Sequence, residues 1–244
     1  MSSRNRQREY ARKRHEKWLA HQAAVRARRR RRRIIAGAVT GVLALVAGVI
    51  LVVDATRPEP VVDDGTTAVT GDVPDPALAE ARTWTVELET SAGALTLELD
   101  GAAAPQAVAS FVTLAQDGFF TDTTCHRLTT SGIFVLQCGD PTGTGSGGPG
   151  YRFGPIENAP EDDVYPAGTL AMARVGGDGA SMGSQFFMVY ADSTIPSDEA
   201  GGYTVFGRVV DGMDVLQAIA DAGVVADGGE TPATEVRIER IELQ

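Results

Sequence analysis

Few side chains in this 244-residue sequence could make or break a covalent bond. His126 is the one histidine beyond the N-terminal tail, and Cys125 and Cys138 are the only cysteines. On a strand, Cys125 and His126 point to opposite faces. A thiol–imidazole pair would therefore need Cys138 to reach His126 from a neighbouring strand, with no third group to orient it. One histidine and two cysteines without a carboxylate at supporting spacing make a poor metal site, so no metal is expected. Gly143–Gly150 (GTGSGGPG) lacks the Lys-Ser/Thr that follows a phosphate-binding loop, and reads as a flexible rim. What remains is a set of polar groups inside apolar strands. His126-Arg127 lie within Thr123–Leu128, Gln137 follows Phe134, Val135 and Leu136, and Gln185 precedes Phe186, Phe187 and Met188. An arginine and two glutamines among strand aromatics are either solvated edge residues or a polar cluster on one face of a barrel.

The elements that must carry them are mostly short strands. Trp84–Thr90 and Ala94–Asp100 alternate apolar and polar residues around Ser91-Ala92-Gly93, a hairpin signature. Pro105 suits the first turn of a helix, Val108, Phe111, Val112 and Ala115 form its apolar face, and Gly118 stops it. Strand-like runs follow at Thr123–Leu128, Ile133–Cys138, Thr169–Arg174, Gln185–Tyr190 and Thr204–Val210. A second helix spans Met213–Ala220, with Val215, Leu216 and Ile219 on one side, and a last strand lies near Glu235–Leu243. The pattern predicts a mostly β fold: a closed antiparallel barrel capped by two helices. This domain occupies residues 83–244.

Ahead of it the chain changes character. Residues 1–33 hold 14 of the 22 Lys and Arg against Glu9 and Glu16, a net +12; the other 211 residues hold 8 Arg and 30 acids, a net −22. Between tail and body, Ile34–Val53 runs 20 residues without a charge. A helix of that length spans roughly 30 Å, the thickness of a bilayer's hydrocarbon core. Arg28–Arg33 on one side and Asp54, Glu59, Asp63 and Asp64 on the other predict a single-pass signal anchor in the cell membrane. Its N-terminus is cytoplasmic and the acidic body lies outside. The apolar stretch exceeds a cleaved signal's core, and Val53-Asp54-Ala55 is a poor cleavage site. Beside such a span the arginines serve topology and anionic lipid headgroups, so no nucleic-acid partner is expected. Residues 54–82, rich in Pro, Asp, Gly and Thr and without periodicity, read as a flexible linker.

Cys125–Leu128 (CHRL), Phe134–Asp140 (FVLQCGD), Thr169–Ala173 (TLAMA), Gly183–Met188 (GSQFFM) and Val205–Val209 (VFGRV) together resemble the cyclophilin-type peptidyl-prolyl cis–trans isomerases. The resemblance implies an eight-stranded antiparallel barrel, closed by a helix at each end, with a proline-binding groove on its outer face. It implies that Arg127 is the catalytic arginine, with His126 beside it, and that Phe134, Val135 and Phe187 receive the proline ring. Gln137 and Gln185 would flank the substrate backbone, and Ala173 and Arg174 the residue before proline. Ile195 and Tyr203 would form the far wall, and Gly145 the rim. The sequence departs from the family pattern at Cys125, usually aromatic, at Arg174, usually asparagine, at Thr194, often tryptophan, and by two extra residues between Arg127 and Gln137.

The implied activity needs no nucleophile, metal or cofactor, only proline-containing polypeptides as partners and a monomeric domain. A membrane-tethered module that binds proline segments without turnover is the alternative. Cys125 and Cys138 fall on strands whose spacing makes them neighbours, in an exported and oxidising setting. A cross-strand disulfide and two buried free thiols are both open.

Overall fold

A computed structural model describes residues 72–226 and 229–244. It opens with a hairpin, β1 (Thr83–Thr90) and β2 (Gly93–Asp100), paired along its whole length from Thr83↔Asp100 to Thr90↔Gly93. The alternation in sequence becomes alternation in space. Trp84, Val86 and Leu88 of β1 and Leu95, Leu97 and Leu99 of β2 are buried, with more accessible residues between them. Helix α1 (Pro105–Gln116) follows. Its cap residue Ala104 has no side-chain acceptor, so the carboxylate of Glu157 takes the Gln106 and Ala107 N–H groups, each at 3.0 Å. The buried face is wider than one stripe: Ala107, Ala109, Ser110 and Leu114 join Val108, Phe111 and Val112, whereas Ala115 is only partly covered.

The remaining elements are β3 (Arg127–Leu128), β4 (Val135–Cys138), β5 (Val164–Tyr165), β6 (Thr169–Met172), β7 (Phe186–Val189), β8 (Ser193–Thr194), β9 (Val205–Asp211), α2 (Met213–Ala222) and β10 (Ile238–Leu243). Eight strands form one antiparallel sheet in the order β10-β1-β2-β9-β6-β7-β4-β3, and β5 pairs separately with β8. The expected closed barrel is not formed; the sheet is a curled half-barrel with β10 and β3 as its edges. The reason lies in β3, where only two residues of the predicted Thr123–Leu128 strand join the ladder. The two edges meet instead through a bridge from Thr124 to Arg237 and single hydrogen bonds such as Cys125 N–H to the Val236 carbonyl. The core fills the curl. Phe111 lies 5.0 Å from Phe120, 5.4 Å from Phe186 and 5.7 Å from Phe206, centroid to centroid.

The end of the expected linker is also structured. Pro76–Ala79 form a 3-10 helix capped by Asp75; Ala79 is fully buried and accepts a hydrogen bond from the Trp84 indole at 3.0 Å. Gln106 donates to the Pro74 carbonyl at 2.9 Å, so this segment packs on the domain. The basic tail (1–33), the apolar span (34–53) and most of the linker lie outside the described residues. Among the described residues, no helix is long and apolar enough to cross a membrane.

Candidate active site

Strand pairing carries the expected site residues into one row. Arg127 of β3 stands opposite Gln137 of β4, Gln137 opposite Phe187 of β7, and Phe187 opposite Ala171 of β6. Alternation then sorts the side chains. Leu136, Cys138, Phe186 and Met188 join the main core, while Val135, Phe187 and Val189 belong to a second apolar cluster with Tyr165, Ala171 and Ile195. Ile133, Ala173, Tyr203 and Val205 pack at its margin. The Tyr203 ring meets Phe187 edge-on at 5.6 Å, and its N–H donates to the Tyr165 hydroxyl at 2.8 Å.

Val135, Ala173, Phe187, Ile195 and Tyr203 therefore fall in one cluster, and Phe134 is grouped apart from them. It packs against the main core with its ring 5.8 Å from Tyr190, and Ile133 stands with the pocket cluster instead. Both residues precede β4, which begins at Val135, and Ile133 forms an isolated bridge with Ser131. Tyr165, Ala171, Val189 and Val205 were also missed. Ala171 and Val189 could have been found by alternation along their strands.

A chain of polar groups borders this pocket. Arg127 Nη1 donates to Gln137 Oε1 at 3.4 Å, Gln137 Nε2 to Gln185 Oε1 at 2.8 Å, and Gln185 Nε2 to the carbonyls of Gly145 at 3.0 Å and Gly147 at 2.8 Å. That glycine-rich rim is anchored by the fully buried Asp140. One carboxylate oxygen accepts from the Thr142 N–H and hydroxyl, the other from the N–H groups of Gly145 at 2.6 Å and Gly147 at 3.1 Å. Burial alone would raise the Asp140 carboxyl, but the hydrogen bonds from Thr142, Gly147 and Gly145 outweigh it and hold it below the usual range. Gly139, at φ 87°, turns the chain from β4 into this loop; a Cβ there would stand 2.3 Å from the Ser184 carbonyl. Between rim and sheet opens a cavity of about 710 Å³, lined among others by Gln137, Gly145, Ala173, Val175 and Gln185.

Four more expected residues take the following places, with Arg174 lining the cavity next to Ala173. The Arg174 side chain is 1% exposed: it forks onto Asp198 at 2.9 and 3.0 Å, donates to the Gly202 carbonyl, and lies 4.6 Å over the Tyr203 ring. That guanidinium braces the loop behind the pocket, and holds Asp198 far below the ordinary carboxylate range. His126 sits beside Gly145 with both ring nitrogens buried and unpartnered. Burial pushes its pKa down, Asp140 opposes this and Arg127 adds to it. Cys125 and Cys138 are joined as a disulfide, with Cα atoms 3.9 Å apart, next to the strand pair that carries Arg127 and Gln137. One partner of Arg127 had no signal in the sequence: Glu230 accepts from Nε at 2.6 Å and from Nη2 at 3.3 Å.

The sequence model of the family described as "Cyclophilin type peptidyl-prolyl cis-trans isomerase/CLD" matches residues 85–243. A Mycobacterium tuberculosis protein named "Probable peptidyl-prolyl cis-trans isomerase B" is 49% identical over 189 residues, 71% of this chain and 58% of that protein. A Helicobacter pylori "Peptidyl-prolyl cis-trans isomerase" is 39% identical over 147 residues, 59% of this chain and 85% of its own. The chain thus spans under two thirds of the mycobacterial relative's length. Among solved structures, a cyclophilin-type peptidyl-prolyl cis-trans isomerase of Cryptosporidium parvum matches with TM-score 0.57 and 30% identity, over 67% of this chain and 98% of that one. The same protein determined in the presence of the dipeptide Ala-Pro matches with TM-score 0.56 and 32% identity, over 66% and 98%. With the curled eight-stranded sheet, its outer apolar pocket and the arginine–glutamine row beside it, these matches establish that the chain belongs to the cyclophilin-type peptidyl-prolyl cis–trans isomerase family.

Proposed function

We propose that residues 83–244 catalyse cis–trans isomerisation of X–Pro bonds in exported polypeptides, and that residues 34–53 anchor this domain outside the cell membrane. The observation that carries the enzymatic reading is the Arg127 guanidinium bonded to Gln137 in the same row of the sheet as Phe187. The barrier to rotation is roughly 18–20 kcal/mol because twisting breaks amide resonance. At the twisted geometry the prolyl nitrogen becomes pyramidal and gains a lone pair. A donor aimed at that lone pair bonds the transition state and not the planar ground states, so it lowers the barrier selectively.

In this reading the cluster around Val135, Phe187 and Ile195 receives the proline ring, Arg127 donates to the nitrogen, and Gln137 and Gln185 hold the peptide backbone. Ala173 and the cavity beside it take the residues before proline. Bringing tens of seconds down to milliseconds requires about 5–7 kcal/mol. A charge-assisted hydrogen bond in a pocket that excludes water supplies energy of that order. No cofactor enters, and one domain holds the whole site.

The topological part rests on sequence: the +12 tail, the uncharged 20-residue span and the acidic residues after it. The arginines face anionic headgroups on the cytoplasmic leaflet. The test of the enzymatic part is exchange spectroscopy on a proline tetrapeptide with the full-length chain at sub-stoichiometric concentration. Accelerated cis–trans exchange supports it; binding without acceleration would leave a proline-peptide-binding module.

A further inference from the structure

The fork that Glu230 makes with Arg127 is not needed to hold the domain together. The two side chains are 38% and 54% exposed, and an ion pair in that setting adds little stability. Its geometry is nonetheless specific. A guanidinium has five N–H donors. Glu230 takes the Nε–H and one Nη2–H, and Gln137 takes one Nη1–H. Two hydrogens are left, one on each terminal nitrogen. Glu230 thus occupies the Nε–Nη2 side of the group and leaves one donor on each terminal nitrogen as a donor pair.

The carboxylate is itself registered to the strand that bears the arginine. The Glu230 carbonyl accepts the N–H of Leu128, the residue after Arg127, at 2.5 Å. The next residue, Thr231, is held as well: its carbonyl accepts the Val225 N–H at 2.9 Å. Arginine carries a long side chain with four rotatable bonds, and a two-residue edge strand does little to fix it. A second anchor opposite Gln137 narrows the directions in which the donor pair points.

We propose that Glu230 is a positioning residue for Arg127, pre-aligning the guanidinium for the twisted peptide. This rests on the reading of Arg127 as the catalytic cation, and its test has one readout that depends on that reading and one that does not. In the full-length chain, Glu230→Ala keeps the backbone bond to Leu128. It is expected to lower kcat about five- to tenfold with KM within about twofold, and Glu230→Gln to fall between. In an Arg127→Ala background, Glu230→Ala is expected to change nothing further, which a general folding role would not produce. Independently of turnover, the ¹⁵N spectrum of the Arg127 side chain should show an Nε–H protected from exchange in the wild type and exposed in Glu230→Ala. Protection without turnover would sink the enzymatic reading and leave the positioning intact. An Nε–H that exchanges equally in both, a kcat unchanged or raised in Glu230→Ala, or an equal loss in the Arg127→Ala background would each overturn the proposal.

Discussion

Phe187 shows how one side chain serves fold and site together. Its neighbours Phe186 and Met188 point into the main core, so the backbone that presents Phe187 outward is held by buried apolar contacts on its other side. Tyr203 stands edge-on to the ring, and Tyr203 is held in turn beneath the Arg174 guanidinium. Removing the ring should therefore strip apolar area from the pocket without unseating the strand. Phe187→Ala in the full-length chain is expected to raise KM for a proline tetrapeptide at least about tenfold, a loss of ~1.4 kcal/mol or more. Steady-state kinetics check this, and an unchanged KM would remove Phe187 from the pocket. The resemblance made Phe187 and Val135 legible, because each sits inside a quoted motif. Phe134 was quoted in the same motif, and it packs on the main core while Ile133 joins the pocket cluster. The role of Arg174 was illegible, since its partners lie 24 to 28 residues away in sequence, on Asp198, Gly201 and Gly202.

At the scale of elements, the weakest ladder in the sheet carries the arginine. Strand β3 contributes two residues, and its pairing with β4 ends at Arg127↔Gln137. The Cys125–Cys138 disulfide ties the chain just beyond that end. A crosslink closing a loop of this size stabilises by about 2–4 kcal/mol, mainly through the unfolded chain. The full-length chain is expected to lose that stability under reducing conditions, with a fall of several degrees in the thermal midpoint of the domain. Cys125→Ala/Cys138→Ala should show the lower midpoint with or without reductant. A wild-type midpoint indifferent to reductant would contradict this. Hairpin β1–β2 and both helices were readable because their signals are local: alternation, Pro105 at a helix start, apolar residues at helical spacing. The shortness of β3, and with it the open sheet, was not. It depends on where the segment before Arg127 turns away to meet Val236 and Arg237, more than a hundred residues later. The paired segments β5 and β8 are two residues each, too short to leave a periodic trace.

For the whole molecule, the charge split is the main instruction in the sequence. In the proposed topology, a tail of +12 and a body of −22 on either side of an uncharged 20-residue span lie on opposite sides of a membrane. Protease added to intact cells or spheroplasts should release the isomerase domain by cutting between the span and Pro74, and leave the arginine tail protected. A domain that resists protease until the membrane is breached would reverse the orientation. The packed segment Pro74–Ala79 narrows where the cut falls, since a protease needs extended, accessible chain and Ala79 is buried.

The central claim is that Arg127 lowers the rotational barrier of a proline peptide held on the outer face of the sheet. Its most direct test is kcat/KM for cis–trans exchange of one tetrapeptide, measured for the full-length chain and its Arg127→Ala variant, with circular dichroism to verify the fold. The guanidinium lies on the outer side of an edge strand, so the core should survive its removal. The account predicts a loss of at least about 100-fold, ~2.7 kcal/mol of transition-state stabilisation, in a folded variant. Near-normal exchange in a folded Arg127→Ala protein would contradict it.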